Sequence, residues 1–384
     1  MNGSPRRTVW LALTLAAAAS GASAAEWQAT TALASSAEYD SNPQMKSGSS
    51  EAVSGAVADL TLRLGRRSDV SSLDVTSRLL VRRYTGDDTL DSDDVYVNGD
   101  WRLDRERNRY GMSASYARDG TLTSEFGDTG FVEANVPRET TTLRASANRS
   151  LSERMQVNAV LAYQDVYYQN GARFGLLDYH YWTGTAYTQR ALSERSSFNL
   201  IARVALLEVP ESGGESREAS AGFGFEHLWN ERWTSSIAIG PSYSETNGES
   251  NGTGTSYRAT LAGNWPRRSV GAEMERVLSP DEGRGTLEVR DRFALALRRE
   301  LSERVVASAF ASVDFYSGAS DPRNQGGSSR NYARAGGTLA WQAAQQWALS
   351  LSYRYLRQDE SSIASGHQIS AGVNWRGLGK SLSR

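Results

Sequence analysis

Leu151-Ser152-Glu153-Arg154 returns as Leu192-Ser193-Glu194-Arg195 and again as Leu301-Ser302-Glu303-Arg304. Looser versions stand at Leu64-Gly65-Arg66-Arg67, Leu103-Asp104-Arg105-Glu106, Leu228-Trp229-Asn230-Glu231-Arg232, Asn264-Trp265-Pro266-Arg267-Arg268 and Gln342-Ala343-Ala344-Gln345-Gln346. These are eight tight polar turns. Most are spaced by roughly 36 to 41 residues, the length of two strands, one short turn and one longer loop. Solenoid repeats and propeller blades share such periods, so the flanking pattern decides.

That pattern has period two. Val157, Ala159, Leu161 and Tyr163 alternate with Gln156, Asn158 and Gln164. Phe198, Leu200, Ala202, Val204 and Leu206 alternate with Asn199 and Arg203, and Trp347, Leu349, Leu351, Tyr353 and Tyr355 with Ser350, Ser352 and Arg354. One face is apolar and aromatic while the other is polar, as expected when one meets lipid and the other water. The spacing predicts strands at 26–38, 52–64, 70–84, 94–104, 108–120, 138–151, 155–168, 178–192 and 196–208. It predicts nine more at 217–229, 232–244, 255–266, 269–278, 286–301, 304–316, 330–342, 346–358 and 366–376. Short turns fall on one side and longer links on the other, with both ends of the strand series on the short-turn side. The fold class is therefore all-β: a transmembrane antiparallel up-and-down barrel of about 18 strands with short periplasmic turns.

Composition agrees. The chain is 39% hydrophobic with 35 Gly, 17 Tyr, 10 Trp and no Cys, and its mean hydropathy is −0.51, too polar for a helical membrane protein. A formal net charge of −2 implies no nucleic-acid partner. The absence of Cys excludes disulfides, thiolate metal sites and a lipidated Cys.

Residues 1–25 read as a signal peptide, with Arg6 and Arg7 before the apolar run Val9 to Ala19 and a small-residue cleavage motif at Ala22-Ser23-Ala24. Residues 26–376 are the expected barrel and 377–384 a periplasmic tail. Tyr39, Tyr84, Tyr116, Tyr167, Tyr168, Tyr243, Phe315, Tyr316, Tyr353 and Tyr355 fall towards the long links. Trp101, Trp229, Trp233, Trp265, Trp341, Trp347 and Trp375 fall near the short turns. Two such belts are expected at two membrane interfaces.

Alternation assigns to the lumen Arg78, Arg82, Arg144, Arg203, Arg258, Arg292, Arg298, Arg334 and Arg354, with Asp74, Glu226, Glu273, Glu275 and Asp314 facing them. Fixed guanidinium groups in an aqueous passage hold carboxylate or phosphate on a solute; the same groups, paired with the acids, would only stiffen the wall. Links at 211–216, 280–285 and 359–365 are too short to fold far into a pore, whereas those at 41–50, 120–137 and 318–329 can reach across the mouth. The acidic run Asp87, Asp88, Asp91, Asp93 and Asp94 carries hard oxygen ligands, but its irregular spacing points to a solvated loop. His180, His227 and His367 lie in three separate predicted strands, which supports neither a nucleophile and base pair nor a metal site. No enzyme, cofactor or metal is expected.

The segment Glu38-Tyr39-Asp40-Ser41-Asn42-Pro43 resembles the Tyr-Asp-(Ser/Asp)-Asn motif of porin-like outer-membrane β-barrel proteins associated with exopolysaccharide export loci. The resemblance implies export of a secreted polysaccharide across the outer membrane of a Gram-negative bacterium, with periplasmic export and inner-membrane synthesis components as partners; it supplies no catalytic residues. The other expected contacts are outer-membrane lipid, lipopolysaccharide and the barrel assembly machinery, although the chain runs on to Arg384 without the terminal aromatic that such machinery usually reads. A monomer is expected, because no strand group is more apolar than the rest. An export conduit is the leading expectation, a general or anion-selective porin the alternative, and a surface structural or adhesion barrel the second alternative.

Overall fold

A strand with one polar and one apolar face is stable in a bilayer only when every backbone N–H and C=O finds a partner, which an open edge does not allow. The computed structural model, which describes residues 25–48, 51–122, 135–247, 249–281, 286–318, 330–359, 362–377 and 380–382, meets that demand by closure. The expected leader lies outside the described residues, as do the middles of the links at 120–137 and 318–329.

In chain order the strands are β1 (Glu26–Asp40), β2 (Val53–Arg67), β3 (Ser71–Thr85), β4 (Ser92–Asp104), β5 (Asn108–Gly120), β6 (Pro137–Ser152), β7 (Met155–Tyr168), β8 (Tyr179–Ala191) and β9 (Ser196–Val209). There follow β10 (Gly214–Leu228), β11 (Trp233–Thr246), β12 (Glu249–Trp265), β13 (Arg268–Asp281), β14 (Thr286–Glu300), β15 (Val305–Gly318), β16 (Arg330–Gln342), β17 (Trp347–Asp359), β18 (Ile363–Arg376) and a short β19 (Lys380–Leu382). From β1 to β18 each strand pairs antiparallel with the next, and β1 pairs with β18 to close an eighteen-stranded barrel. The structure starts β10 at Gly214, β12 at Glu249 and β18 at Ile363, the largest departures ahead of the predicted starts. In β10 and β12 the extension is Gly- and polar-rich, so composition marked it as loop while the ladder of the neighbouring strand continues it.

Register sorts the faces. Leu33 pairs with Leu60, Leu60 with Leu79 and Leu79 with Val95, and these side chains lie on the exposed outer wall together with Leu161, Leu200, Leu295 and Leu351. A folded chain leaves so many large apolar groups uncovered only where lipid covers them. Trp27, Trp265, Trp341, Trp347 and Trp375 share this outer face near the short turns. Tyr39, Tyr167, Tyr243 and Phe315 share it near the long links, and Tyr353 shares it at mid-strand. Tyr84, Tyr168 and Tyr316 do not join the outer belt: they point inward, and Tyr168 and Tyr316 are buried. The reason is the two-residue period: neighbours such as Tyr167 and Tyr168, or Phe315 and Tyr316, cannot occupy one face.

Strand β18 ends while the lower part of β1 is still unpaired. Arg376 pairs with Ala32, the Gly377 N–H donates to the Thr31 carbonyl, and after a break Lys380 pairs with Ala29 and Leu382 with Trp27. The register on the two sides of that break differs by one residue, and the tail continues the pairing along the edge of β1.

The segment Glu38 to Pro43 has a structural task. Asp40 Oδ1 accepts the Asn42 N–H at 2.9 Å, and Asn42 Nδ2 donates to the carbonyls of Lys46 at 2.9 Å and Ser365 at 3.0 Å. Asn42 Oδ1 accepts the Lys46 N–H at 3.0 Å. This latch ties the β1–β2 loop to β18 and seats Met45 among Tyr332, Leu356 and Ala364, inside the loop end of the barrel. Replacing Asn42 with Ala leaves two carbonyls and an N–H without their partner and is expected to cost about 1–3 kcal/mol. Urea unfolding of the vesicle-inserted protein, followed by tryptophan fluorescence, reads that loss.

Candidate functional site

All twelve lumen-assigned residues, nine Arg with Glu226, Glu273 and Asp314, have inward parity: Arg78 lies opposite Thr61, Arg203 opposite Ser220, Arg258 opposite Glu275, Arg292 opposite Asp314 and Arg354 opposite Gln368. Seven of the arginines stand near the middle of their strands: Arg78 on β3, Arg144 on β6, Arg203 on β9, Arg258 on β12, Arg292 on β14, Arg334 on β16 and Arg354 on β17. Each lies seven or eight residues from the short-turn end of its strand, so these seven form a belt at mid-height around the lumen. Arg82 stands higher, and Arg298 and Glu226 stand near the short turns.

Much of the belt is paired. Arg78 donates from Nε and Nη2 to Asp59 Oδ2 at 2.8 and 2.6 Å, and its guanidinium lies 5.7 Å from the Tyr96 ring centroid. Arg203 reaches Glu218 and the Tyr181 hydroxyl, both at 2.8 Å. Arg258 lies 2.5 Å from Glu273 and 3.7 Å from Glu275, and Arg292 lies 3.9 Å from the buried Asp314. Arg334 Nε donates to Ser312 Oγ at 2.8 Å. Above the belt Arg82 holds Asp94. Arg144, Arg298 and Arg354 are exposed to the lumen, and among the described residues none of the three makes an ion pair or hydrogen bond. Such guanidiniums are open to a passing anion.

Near the short turns a cavity of about 520 Å³ opens on the inner wall of β14 to β18 and β1 to β2, with Arg298, Arg376, Gln342 and Asn374 among its lining. The opposite wall carries neutral amides. Asn148 donates to Gln156 and Asn158, Gln156 to Gln189 at 2.6 Å and Gln189 to Ser197 at 3.1 Å, across β6 to β9.

Towards the long links the lumen changes character. Val166 and Tyr168 of β7, Tyr179 of β8 and Leu207 and Val209 of β9 form one buried apolar cluster with Val136 and with Leu176 from the link before β8. Leu287, at the start of β14, belongs to the same cluster, and Leu278 of β13 packs against it. The loop-side ends of β13 and β14 therefore lean inward over the lumen, whereas residues 282–285 of the link expected to be too short to do so lie outside the described residues. The Asp178 Oδ1 accepts the Tyr168 N–H at 2.8 Å and so fixes the link that carries Leu176; burial raises this carboxyl above its ordinary range, against the lowering effect of that hydrogen bond.

The acidic run is spent on local structure. Asp87 accepts from Thr89 and Gln44, Asp91 accepts the Tyr84 N–H at 2.8 Å, and Asp93 pairs with Arg83 at 2.8 Å. Among the described residues no cluster of three potential metal ligands occurs. The three histidines all have outward parity. His180 lies 3.0 Å from Asp165, and His367 accepts or donates a 2.9 Å bond with the Tyr353 hydroxyl. The fold does bring Ser196 Oγ within 2.9 Å of His227 Nδ1, a pairing invisible in the spacing, but the ring stands edge-on to Trp229 at 4.7 Å and among the described residues no carboxylate orients it.

No family model and no curated protein matches the chain. Solved structures do. OpdQ of Pseudomonas aeruginosa aligns with a TM-score of 0.50 at 9% identity, over 92% of this chain and 98% of that one. OccK2 (OpdF) of Pseudomonas aeruginosa in complex with glucuronate aligns at 0.48 and 9%, over 92% and 98%. A bacterial polysaccharide outer membrane secretin aligns at 0.38 and 8%, over 92% and 99%. At such identities the likeness is one of fold, and it rests on OpdQ: the chain has the eighteen-strand barrel architecture of outer-membrane porins.

Truncating Leu287 to Ala removes the one cluster member from β14. It is expected to destabilise the barrel by about 2–5 kcal/mol and to raise single-channel conductance by relieving the narrowing. Unchanged conductance in a folded variant would place the narrowest point elsewhere.

Proposed function

We propose that the chain is a porin for small organic anions, and that it is not a wide conduit for a secreted polymer. One observation carries this: the mid-height belt of inward arginines, in which Arg144 and Arg354 are exposed and make no ion pair or hydrogen bond among the described residues. A carboxylate or phosphate entering the passage exchanges water for charge-assisted hydrogen bonds there, and weak, repeated sites of that kind favour entry without preventing release. Paired arginines such as Arg78 and Arg203 keep the wall stiff while presenting the remaining N–H groups to the lumen.

The apolar cluster beneath the loops supports the same choice. A hydrated polysaccharide chain needs a continuous wide track, whereas the inward bend at Leu278 and Leu287 occupies one side of the passage. The outer wall, lipid-facing all round, fits an outer-membrane location and contact with outer-membrane lipid and lipopolysaccharide. Its exposed apolar side chains are spread from β1 to β18 among the described residues, so a monomer inserted by the barrel assembly machinery remains our reading.

The test is the reversal potential across a planar bilayer in a potassium chloride gradient. The wild-type channel is expected to favour chloride and to carry gluconate. The Arg144→Gln, Arg354→Gln double variant is expected to lose roughly two- to fivefold of the anion preference, about the effect of removing two solvent-screened charges. A cation-selective wild type would refute the reading. Transient block of the current by an anionic oligosaccharide, but not by gluconate, would restore the export reading.

A further inference from the structure

At the short-turn end of the wall, Arg268 of β13 lies directly opposite Arg299 of β14 in register. Both have the outward parity of Val270, Met274, Phe293 and Leu297, so both face lipid. Like charges directly opposed across a ladder are destabilising unless something neutralises them. Among the described residues neither arginine is in an ion pair, and both are exposed. Trp265 of the turn-side belt lies 4.2 Å from the Arg268 guanidinium, ring centroid to Cζ, and stands edge-on to Trp233 at 5.2 Å. The two indoles set the depth: this is the level of lipid headgroups.

We propose that Arg268 and Arg299 clamp the phosphate of an anionic phospholipid in the periplasmic leaflet, with Trp265 packed along its glycerol region. A phosphodiester offers oxygens to both guanidiniums at once and removes their mutual repulsion. A zwitterionic headgroup brings an ammonium group into a site that already holds two positive charges, so the pair selects an anionic lipid. Arg66, Arg149 and Arg190 also have outward parity near the turns, but their cross-strand partners are Trp27 and Leu73, Asn108 and Val157, and Met155 and Phe198. Among the described residues only β13 and β14 set two arginines face to face. The site is independent of what passes through the lumen.

Native mass spectrometry of the intact protein released from vesicles of equal phosphatidylglycerol and phosphatidylethanolamine tests the clamp. Taking about 1 kcal/mol per basic residue at an anionic surface, phosphatidylglycerol adducts are expected to exceed phosphatidylethanolamine adducts by roughly twenty- to thirtyfold. Arg268→Gln and Arg299→Gln are each expected to cut that ratio about fivefold, while Arg298→Gln, which removes the same charge from the lumen face one residue away, leaves it unchanged. Equal retention of both lipids by the wild type would overturn the proposal. So would an equal loss with Arg298→Gln, which would assign the preference to net charge. Folding is checked by heat-modifiable migration, and Arg299→Gln alone carries the test if Arg268→Gln does not fold.

Discussion

An unpaired backbone N–H or C=O in hydrocarbon costs several kcal/mol, and this one constraint governs the molecule. It forces each strand to pair on both sides and forces β1 to meet β18. It also accounts for the tail. The stagger of the closed sheet leaves the beginning of β1 beyond the end of β18, and Lys380 to Leu382 complete the ladder there. Once the sheet is closed, the two-residue period of side chains does the rest: one parity becomes a lipid-facing wall, the other a lumen.

The lumen is where the chemistry varies with height. At the turn end it is polar, with Arg298 and Arg376 beside amides. At mid-height it is cationic, although Asp59, Glu218 and Glu273 neutralise several of the arginines. At the loop end it is partly filled by the cluster around Tyr179, Leu207 and Leu287. On the proposed reading, a solute entering from the loop side meets this apolar cluster before the charged belt, so size acts first and charge second. Ion pairs within a solvated lumen contribute little stability each; their effect is to hold guanidinium planes at set positions on the wall.

Much of this was legible in the residues. Alternation in runs such as Trp347 to Tyr355 and the repeated Leu-Ser-Glu-Arg turns located the strands, because a sheet exposed to lipid on one face and water on the other repeats its chemistry every second residue. The same rule assigned Arg78 through Arg354 to the inner face. It misled where two aromatics are adjacent: Tyr168 and Tyr316 look like belt residues by composition, but parity sends them inward. What could not be read was contact between distant segments. Nothing in the spacing of Leu278 and Leu287 announces that they pack against Leu207, and nothing places Ser196 beside His227 or Asn42 beside Ser365. The Asn42 latch also gives the Glu38 to Pro43 segment a structural role that stands without any tie to polysaccharide export.

The central claim is that alternate residues of one strand see water and lipid, and that the watery face is positive. The chain has no cysteine, so single-cysteine variants at Tyr353, Arg354 and Tyr355, and at Leu143 and Arg144, report directly on it. Reaction with membrane-impermeant methanethiosulfonate reagents in intact vesicles is expected at positions 354 and 144 and absent at 353, 355 and 143. The sulfonate reagent should react several-fold faster than the trimethylammonium one. Equal labelling along the strand, or faster labelling by the cationic reagent at 354 and 144, would contradict the account.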